Sequence, residues 1–364
     1  MTLILTVILV ALVFEYINGF HDTANSIATV VATKVLTPRQ AVMMAATTNL
    51  MGAMWGTAVA QTIASGLVDT KVVTSQILIC ALLGAVVWNL ITWWLGLPSS
   101  SSHALVGGLC GACLAATNNN WSVIVWSIPG NVHWWTGKGV FWKVVVPMVT
   151  SPICGFVGGF LFMGLLYFLL RNWRTATVNR VFGKLQLLSS AYMGFSHGTN
   201  DAQKTMGIIA LALVTATTGG MFDHLPGWLS FLKAPEPVNG APLTIAVWIK
   251  VVCAMTMCAG TAAGGWRIIK TLGHKMVRLH PVHGFAAETT GATVLLAAAA
   301  LGMPVSTTHA ISTSIMGVGC AKGFNALRLT VVERILWAWV LTIPASGLVS
   351  YALVHLAQAA GWIR

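Results

Sequence analysis

Long apolar runs separated by short polar stretches dominate this sequence, and they include residues 144–170, 245–265 and 289–301. A helix that crosses a bilayer needs about 20 mainly apolar residues. Charged residues make up only 8% of the chain, whereas roughly 25% is usual in soluble globular proteins. The pattern therefore predicts an all-α polytopic membrane protein and argues against a soluble domain with a large core.

The first apolar run lacks the basic start and the small-residue cleavage pattern of a signal peptide, so we expect a retained first helix. The net charge is +12, and the basic residues lie mostly in short loops, with one cluster at 171–184 and another at 267–278. Such clusters are typical of cytoplasmic loops, so the charge indicates topology, and we expect no nucleic-acid partner. Cys110 and Cys113 have a C-x-x-C spacing, but without a second pair or a histidine partner it does not indicate zinc.

Two related polar motifs interrupt the apolar sequence, NGFHDTANS at 18–26 and GFSHGTNDAQK at 194–204. Aligning their aspartates gives the pairs Asp22 and Asp201, Gly19 and Gly198, His21 and Asn200, and Asn25 and Lys204. Glycine permits non-helical backbone, so we expect the first helix to break at Asn18 and Gly19.

A second pair of segments matches without a gap, GLPSSSSHALVGGLCG at 96–111 and GMPVSTTHAISTSIMG at 302–317. In each, proline stops one helix and hydroxyl residues can cap the next. The following helix is short for a span, which predicts a re-entrant hairpin. Duplicated halves with broken helices are typical of secondary transporters whose site lies at the repeat interface. Whether the halves are inverted depends on whether each hairpin crosses the membrane.

We predict a first repeat at 1–117, a connecting segment with one span and a basic cytoplasmic loop at 118–184, a second repeat at 185–320, and a C-terminal span at 321–364. Spans are expected near 2–17, 40–63, 73–95, 141–170, 243–269, 284–301 and 331–356. A helix from about 185 is expected to carry the second motif, and another span to lead to 219. The loop at 118–138 is rich in tryptophan, which suits a membrane interface; its tryptophans include Trp121, Trp126, Trp134 and Trp135.

Asp22 and Asp201 are the strongest candidates for a functional site, because a charge at the bilayer centre costs at least about 2.5–3.5 kcal/mol. Two carboxylates at a repeat interface would form a cation site of hard oxygen ligands. Asn25 and Lys204 each share a helix face with their aspartate by i,i+3 spacing. The alternative is that the aspartates cap broken helices.

The hydroxyl groups of the two hairpins suit an oxyanion, because free N–H groups and the helix dipole favour negative charge at a helix N-terminus. Lys204 would add a point charge for the same ligand. N-capping alone is the alternative role. The candidate hydroxyl ligands are Ser100, Ser101, Ser102, Ser306, Thr307 and Thr308.

Four further residues are candidates for proton coupling: Glu15, Glu288, His103 and His309. Histidine titrates near physiological pH, and both glutamates lie in apolar surroundings. The alternatives are that the histidines fix the hairpins by hydrogen bonds and that the glutamates pair with basic side chains.

These motifs, together with GFAAETT at 284–290, resemble the inorganic phosphate transporter (Pit) family over nearly the whole chain. The resemblance implies two homologous, oppositely oriented halves that carry phosphate with a cation. It is closest to the bacterial low-affinity branch, which carries divalent-metal phosphate with protons, whereas sodium serves other branches. His21 and Lys204 stand where family members often have asparagine, which favours metal phosphate and a proton over a sodium site.

The resemblance thus implies a cation-coupled phosphate symporter, a multi-pass protein of the inner cell membrane. Its lipid-embedded site would hold phosphate with the hairpin hydroxyls and Lys204, and the cation with Asp22, Asp201, Asn200 and His21, while Asn25 serves either. We expect no resident cofactor, since Mg2+, a proton or Na+ would travel as cargo; a homodimer is left open. The alternatives are sodium coupling, another oxyanion such as arsenate or sulfate, a channel, and a membrane hydrolase using Ser and His. The symmetric duplication, without a single nucleophile, predicts that the protein is not an enzyme.

Overall fold

The computed structural model describes residues 1–130, 136–223, 225–234 and 244–363, and within them the regular structure is helical apart from two isolated bridges. The helices are α1 (Thr2–Ala32), α2 (Pro38–Ala53), α3 (Ala58–Ser65), α4 (Ser75–Leu95), α5 (Ser101–Ala116), α6 (Val146–Leu170), α7 (Thr175–Thr218), α8 (Val247–Ala263), α9 (Trp266–Lys270), α10 (Pro281–Ala300), α11 (Thr307–Lys322) and α12 (Leu329–Ala359). A π-helical segment, Phe141–Val145, leads directly into α6. The predicted all-α class is confirmed for these residues.

Among the described residues, four helical segments are long and apolar enough to cross a membrane: Thr2–Ala32, Ser75–Leu95, Phe141–Leu170 and Leu329–Ala359. The last three match predicted spans. Two other predicted spans are not single straight helices. The span at 40–63 is divided into α2 and α3 near Gly56, which has φ +78°. The span at 243–269 is bent by 59° between α8 and α9, where Gly264 has φ +74°.

The predicted break at Asn18 and Gly19 is wrong, because α1 runs unbroken through the first aspartate motif. The second motif likewise lies inside α7, a continuous helix of 44 residues. Gly19 serves a close helix contact instead: a Cβ there would lie 2.6 Å from the carbonyl oxygen of Met257 on α8. Glycine permits such backbone approach as readily as it permits a break.

The close contacts of α1 with α8 have a counterpart between α7 and α2. A Cβ on Gly198, the partner of Gly19 in the motif alignment, would lie 2.2 Å from the carbonyl oxygen of Asn49 on α2. A Cβ on Gly260 would lie 2.2 Å from the carbonyl oxygen of Tyr16 on α1. The helix that carries each motif aspartate, α1 or α7, therefore packs with its backbone in direct contact with the backbone of a helix from the other half.

The two hairpin segments have the same local geometry. Gly96 ends α4 with φ +65°, and Gly302 follows α10 with φ +64°. Each chain then runs to the N-cap serine of the next helix, Ser100 for α5 and Ser306 for α11. Both serine side chains accept a hydrogen bond from the backbone N–H three residues on, at 3.2 and 3.1 Å. The predicted serine caps are thus present in both hairpins.

The hairpin helices are covered by the helices that close each half: α12 packs on α5, and α6 packs on α11. A Cβ on Gly111 of α5 would lie 2.2 Å from the Gly347 carbonyl oxygen of α12. A Cβ on Gly317 of α11 would lie 2.0 Å from the Phe156 carbonyl oxygen of α6. The matched glycines of the two hairpins thus have a packing role.

The outer faces of α6 and α12 expose large apolar side chains, such as Leu161 and Leu348. Such faces suit contact with lipid. The basic segment predicted as a loop at 171–184 is shorter than expected, because α7 begins at Thr175. Trp121 and Trp126 are exposed, as a place at the interface requires, whereas Trp134 and Trp135 lie outside the described residues.

Candidate transport site

The two aspartates converge at the centre of the molecule. Asp22 on α1 is 1% exposed, and Asp201 on α7 is fully buried. One ligand atom each from Asp22, Asp201 and the nearby His197 all lie within 4.8 Å of one another. Two carboxylates and an imidazole at this spacing form a donor set that suits a divalent cation.

The Asp22 carboxylate accepts hydrogen bonds from hydroxyl groups of both hairpins. Ser101 Oγ donates to Asp22 Oδ2 at 2.7 Å, and Thr308 Oγ1 donates to Oδ1 at 3.5 Å. His21 Nδ1 lies 2.8 Å from the same Oδ1. The Asp22 carboxylate is therefore hydrogen-bonded to residues from both halves.

His21 is held in place from α4 and the first hairpin. Its Nε2 lies 3.1 Å from Thr92 Oγ1 and 3.4 Å from Ser99 Oγ, and these two hydroxyls lie 2.7 Å apart. Sequence reasoning missed Thr92, whose one signal is a lone hydroxyl in an apolar helix. With Asp22 on its other nitrogen, His21 supports the carboxylate and links it to the first hairpin.

Asp201 is paired with Lys204, which lies one helical turn further along α7. Lys204 Nζ donates to Asp201 Oδ1 at 2.6 Å, and the lysine is fully buried. His197 Nε2 and Thr307 Oγ1 approach Asp201 Oδ2 at 3.3 and 3.4 Å. A buried charge needs such a partner, so the predicted sharing of a helix face by Asp201 and Lys204 is an ion pair.

His197 was not among the predicted cation ligands, although it lies in the second motif. Its Nδ1 lies 3.2 Å from Asn49 Oδ1 on α2, and Asn49 Nδ2 donates to Thr261 Oγ1 at 3.1 Å. The i,i+4 spacing of His197 and Asp201 could have indicated their contact. Nothing in the sequence marks Asn49.

The two asparagines of the motifs hold different positions. Asn25 Nδ2 donates to Thr307 Oγ1 at 3.1 Å and to Thr308 Oγ1 at 2.9 Å. Asn200 Nδ2 donates to the Met303 carbonyl oxygen at 3.5 Å. In both residues the buried Oδ1 has no hydrogen-bond partner within the described ranges. Two amide oxygens thus face the interior as further hard donors.

The six candidate hydroxyls divide into two groups. Those of Ser101, Thr307 and Thr308 reach the aspartates. Ser100 and Ser306 cap their helices, and Ser102 Oγ donates to the Val305 carbonyl oxygen at 3.0 Å, which joins one hairpin to the other. All six are nevertheless buried at the same two helix starts.

His103 and His309 meet across the two hairpins, with ring centroids 4.8 Å apart. His309 also packs on Trp339 of α12 at 3.9 Å. Within the described residues, no hydrogen bond joins either histidine to Asp22 or Asp201. The structure therefore brings the two histidines to each other but not to the aspartates.

Glu15 and Glu288 are buried and bound by neutral donors. Glu15 Oε2 accepts from Thr205 Oγ1 at 2.5 Å. Glu288 on α10 accepts from Thr29 Oγ1 at 2.5 Å, from Gln186 Nε2 at 3.1 Å, and from Ser189 Oγ. In the described part of the chain neither forms an ion pair with a basic side chain. On α1, Glu15 and Thr29 lie on opposite sides of Asp22, so the two glutamates flank the central site.

A bundle of apolar helices that buries two half-sites of carboxylates and hydroxyls at one interface defines a membrane transporter. The model of the phosphate transporter family matches residues 18–350, and the chain belongs to that family. The resemblance to phosphate transporters is thereby confirmed.

Relatives over the full length support the same assignment. A Bacillus subtilis (strain 168) protein named probable low-affinity inorganic phosphate transporter is 40% identical over 361 residues, which cover 97% of this chain and 98% of the relative. A Rhizobium meliloti (strain 1021) protein of the same name is 42% identical over 356 residues, covering 98% and 96%. A solved structure described as the sodium-dependent phosphate transporter is 25% identical with a TM-score of 0.79, covering 99% of this chain and 100% of that one.

The protein is thus a phosphate transporter and a multi-pass protein of the inner membrane. Its homologues and its fold are those of a phosphate transporter and not of an enzyme. The prediction that it is not a hydrolase is confirmed on that ground.

Proposed function

We propose that this chain is a cation-coupled phosphate symporter that carries neutral divalent-metal phosphate together with a proton. The observation that carries the proposal is the buried group of Asp22, His197 and Asp201, whose ligand atoms lie within 4.8 Å of one another. Hydroxyls from both hairpins surround this group, so a cation and an oxyanion can bind side by side.

Asp22 and Asp201 are the proposed ligands of the metal ion, with His197 and the amide oxygens of Asn25 and Asn200 beside them. His21 positions Asp22. The phosphate oxygens are assigned to Ser101, Thr307 and Thr308, with Lys204 adding charge. Ser100, Ser102 and Ser306 contribute the geometry of the helix starts, where backbone N–H groups favour an anion.

Charge neutralisation explains why phosphate would be carried together with a metal ion and a proton. Burying a bare phosphate is very unfavourable, and moving one negative charge into a negative cell costs about 2.3 kcal/mol per 100 mV. The formal charges of Asp22, Asp201 and Lys204 sum to −1. Adding HPO4 with its two negative charges gives −3, a divalent metal ion returns the sum to −1, and one proton brings it to zero.

The proton is assigned to the buried acids and imidazoles that flank the site, Glu15, Glu288, His103 and His309. Glu288 is the favoured one of the two glutamates on geometric grounds, because three donors from α1 and α7 hold it at their junction. Glu288→Gln should therefore remove the stimulation of uptake by an acidic exterior while leaving phosphate binding measurable.

Sodium coupling is the second candidate, favoured by the likeness to a structure described as a sodium-dependent phosphate transporter. His21 and Lys204 argue against it, because they stand where members of the family often have asparagine. Arsenate is nearly isosteric with phosphate and should share the site. Sulfate carries no proton at neutral pH and should be excluded if the cargo must donate one.

Alternating access would follow from rocking of one part of each repeat against the rest, with the two halves inverted. The matching contacts of α1 with α8 and of α7 with α2 support two equivalent halves. We leave a homodimer open, to be decided by the mass of the purified protein.

Uptake of labelled phosphate into proteoliposomes tests the coupling. We expect uptake to require Mg2+ and an acidic exterior, and to be unchanged by replacing Na+ with K+. Uptake driven by a sodium gradient alone, without Mg2+, would contradict the proposal. Asp69→Asn in an exposed loop is the matched control for Asp22→Asn and Asp201→Asn, which remove the proposed metal ligands.

A further inference from the structure

Lys204 pairs with a carboxylate that the cargo also needs. Its ammonium lies 2.6 Å from Asp201 Oδ1, and Asp201 belongs to the candidate cation group. A divalent ion bound to Asp201 would repel an ammonium at contact distance. Loading of the site would therefore move the lysine head group off Asp201, towards the phosphate or towards a second carboxylate.

We propose that Lys204 is a tethered cation that exchanges between two carboxylates, pairing with Asp201 in the empty site and with Glu15 when the metal ion of the cargo binds. This inference rests on the proposed function, because it needs a metal ion in the cargo. It assigns Glu15 the role of receiving Lys204 as a carboxylate, so in this inference the coupled proton belongs to Glu288, His103 or His309 and not to Glu15.

Glu15 has the properties of a receiving site. It is fully buried, and while Oε2 accepts from Thr205, its Oε1 has no hydrogen-bond partner in the described ranges. Asn18, one turn further along α1, has a buried amide whose Oδ1 and Nδ2 both lack a partner within the described residues. Unpaired buried acceptors are costly, so a donor that reaches this place would be stabilised.

We expect Lys204 to reach Glu15 by rotation of its side chain alone. It is the neighbour in sequence of Thr205, whose hydroxyl already touches Glu15. Neighbouring side chains leave a helix about 100° apart, and the flexible four-carbon stem of lysine can cover that difference by rotation.

The exchange would connect loading to helix packing. The pair of Lys204 with Asp201 lies within α7, whereas a pair of Lys204 with Glu15 would join α7 to α1. The first half has Asn25 at the matching position, so it contains no equivalent cation. Binding of the cargo would thus add an ion pair between the two aspartate helices.

A double-mutant cycle tests the exchange. Binding of labelled phosphate to purified protein at fixed Mg2+ would be measured for the native protein, Glu15→Gln, Lys204→Asn and the double variant. We expect Glu15→Gln to weaken binding roughly tenfold in the native background and less than about twofold beside Lys204→Asn, because contacting residues are energetically coupled. Equal losses in both backgrounds would overturn the exchange.

A second variant keeps Lys204 and so tests the idea even if Lys204→Asn does not fold. Thr205→Val retains the shape of the side chain but removes the donor from Glu15 Oε2, which should draw Lys204 towards Glu15 and free Asp201. We expect phosphate affinity at fixed Mg2+ to rise about threefold, of the order of one neutral hydrogen bond, and a fall would overturn the exchange. Thr215→Val, whose hydroxyl bonds to the Leu211 carbonyl oxygen of its own helix, is the control.

Two outcomes distinguish the proposed metal-phosphate cargo from the proposed exchange of Lys204. Native protein whose phosphate binding does not respond to Mg2+ would contradict the proposed cargo. Native protein whose binding does respond, but in which Glu15 and Lys204 act independently, would overturn the exchange alone.

Discussion

Asn25 Nδ2 lies 2.9 Å from Thr308 Oγ1, so the helix of the first aspartate motif is hydrogen-bonded to the hairpin of the second half. Ser101 in the first hairpin reaches the same helix at Asp22. Both hairpins therefore meet on one face of α1. The hydroxyls of the two hairpins are thus connected to each other through α1.

Removing either central carboxylate should abolish transport. Asp22→Asn and Asp201→Asn each delete one of the two buried negative charges that can neutralise a metal ion. We expect phosphate uptake into proteoliposomes to fall to the level of empty vesicles, while Asp69→Asn behaves as the native protein. Substantial uptake by either buried variant would show that the cation binds elsewhere.

The stability of variants that lack Asp201 should depend on whether Lys204 still has a carboxylate partner. Leaving a buried charge without a partner costs about 3–5 kcal/mol. We expect that loss in Asp201→Asn combined with Glu15→Gln, where neither carboxylate remains for the lysine, and a smaller loss in Asp201→Asn alone. Thermal unfolding in detergent ranks the variants, and adding Lys204→Met to the double variant should restore much of the loss.

The Thr308 hydroxyl should matter more than its methyl group. It accepts from Asn25 and donates to Asp22, and a net hydrogen bond contributes about 0.5–1.5 kcal/mol. Thr308→Val should therefore weaken phosphate binding by roughly an order of magnitude, whereas Thr308→Ser should remain near the native affinity. Thr313→Val on the same helix is the control, since its hydroxyl bonds to backbone carbonyls of α11; equal losses in both valine variants would indicate a general packing effect.

The close approach of α7 to α2 should make Gly198 intolerant of a side chain. A Cβ there would lie 2.2 Å from the Asn49 carbonyl oxygen, and overpacking of this kind costs typically about 1–3 kcal/mol. Gly183→Ala lies in the same helix with no neighbouring atom within 4 Å of the added Cβ. It should instead be neutral or stabilising, because alanine favours a helix by about 1 kcal/mol over glycine. Thermal unfolding of the two variants decides between these outcomes.

Motif pairing anticipated much of the central geometry. It related Gly19 to Gly198 and His103 to His309, and these pairs have matching contacts or meet directly. It could not decide what Gly19 does, because glycine marks a break and a close helix contact equally well. The neighbour of Gly19 is Met257, which is far away in the chain. Tertiary packing therefore decides that Gly19 allows a close helix contact and not a helix break.

Supporting residues were harder to find than the motif residues. Thr92 and Asn49 lie outside the polar motifs, and their partners His21 and His197 are remote in sequence. The pair of Lys204 and Asp201 was within reach because it lies on one helix. Local spacing thus predicted contacts inside α7, while contacts between helices required the fold.

The covering of α5 by α12 has a consequence for biosynthesis. The α5 helix ends at Ala116, and the chain must be extended to Leu329 before the helix that covers its glycine face begins. The first hairpin therefore enters the membrane before its final neighbour exists, whereas α6 is already made when α11 emerges. The helix made last therefore completes the packing around α5, whereas α11 meets its covering helix as soon as it is made.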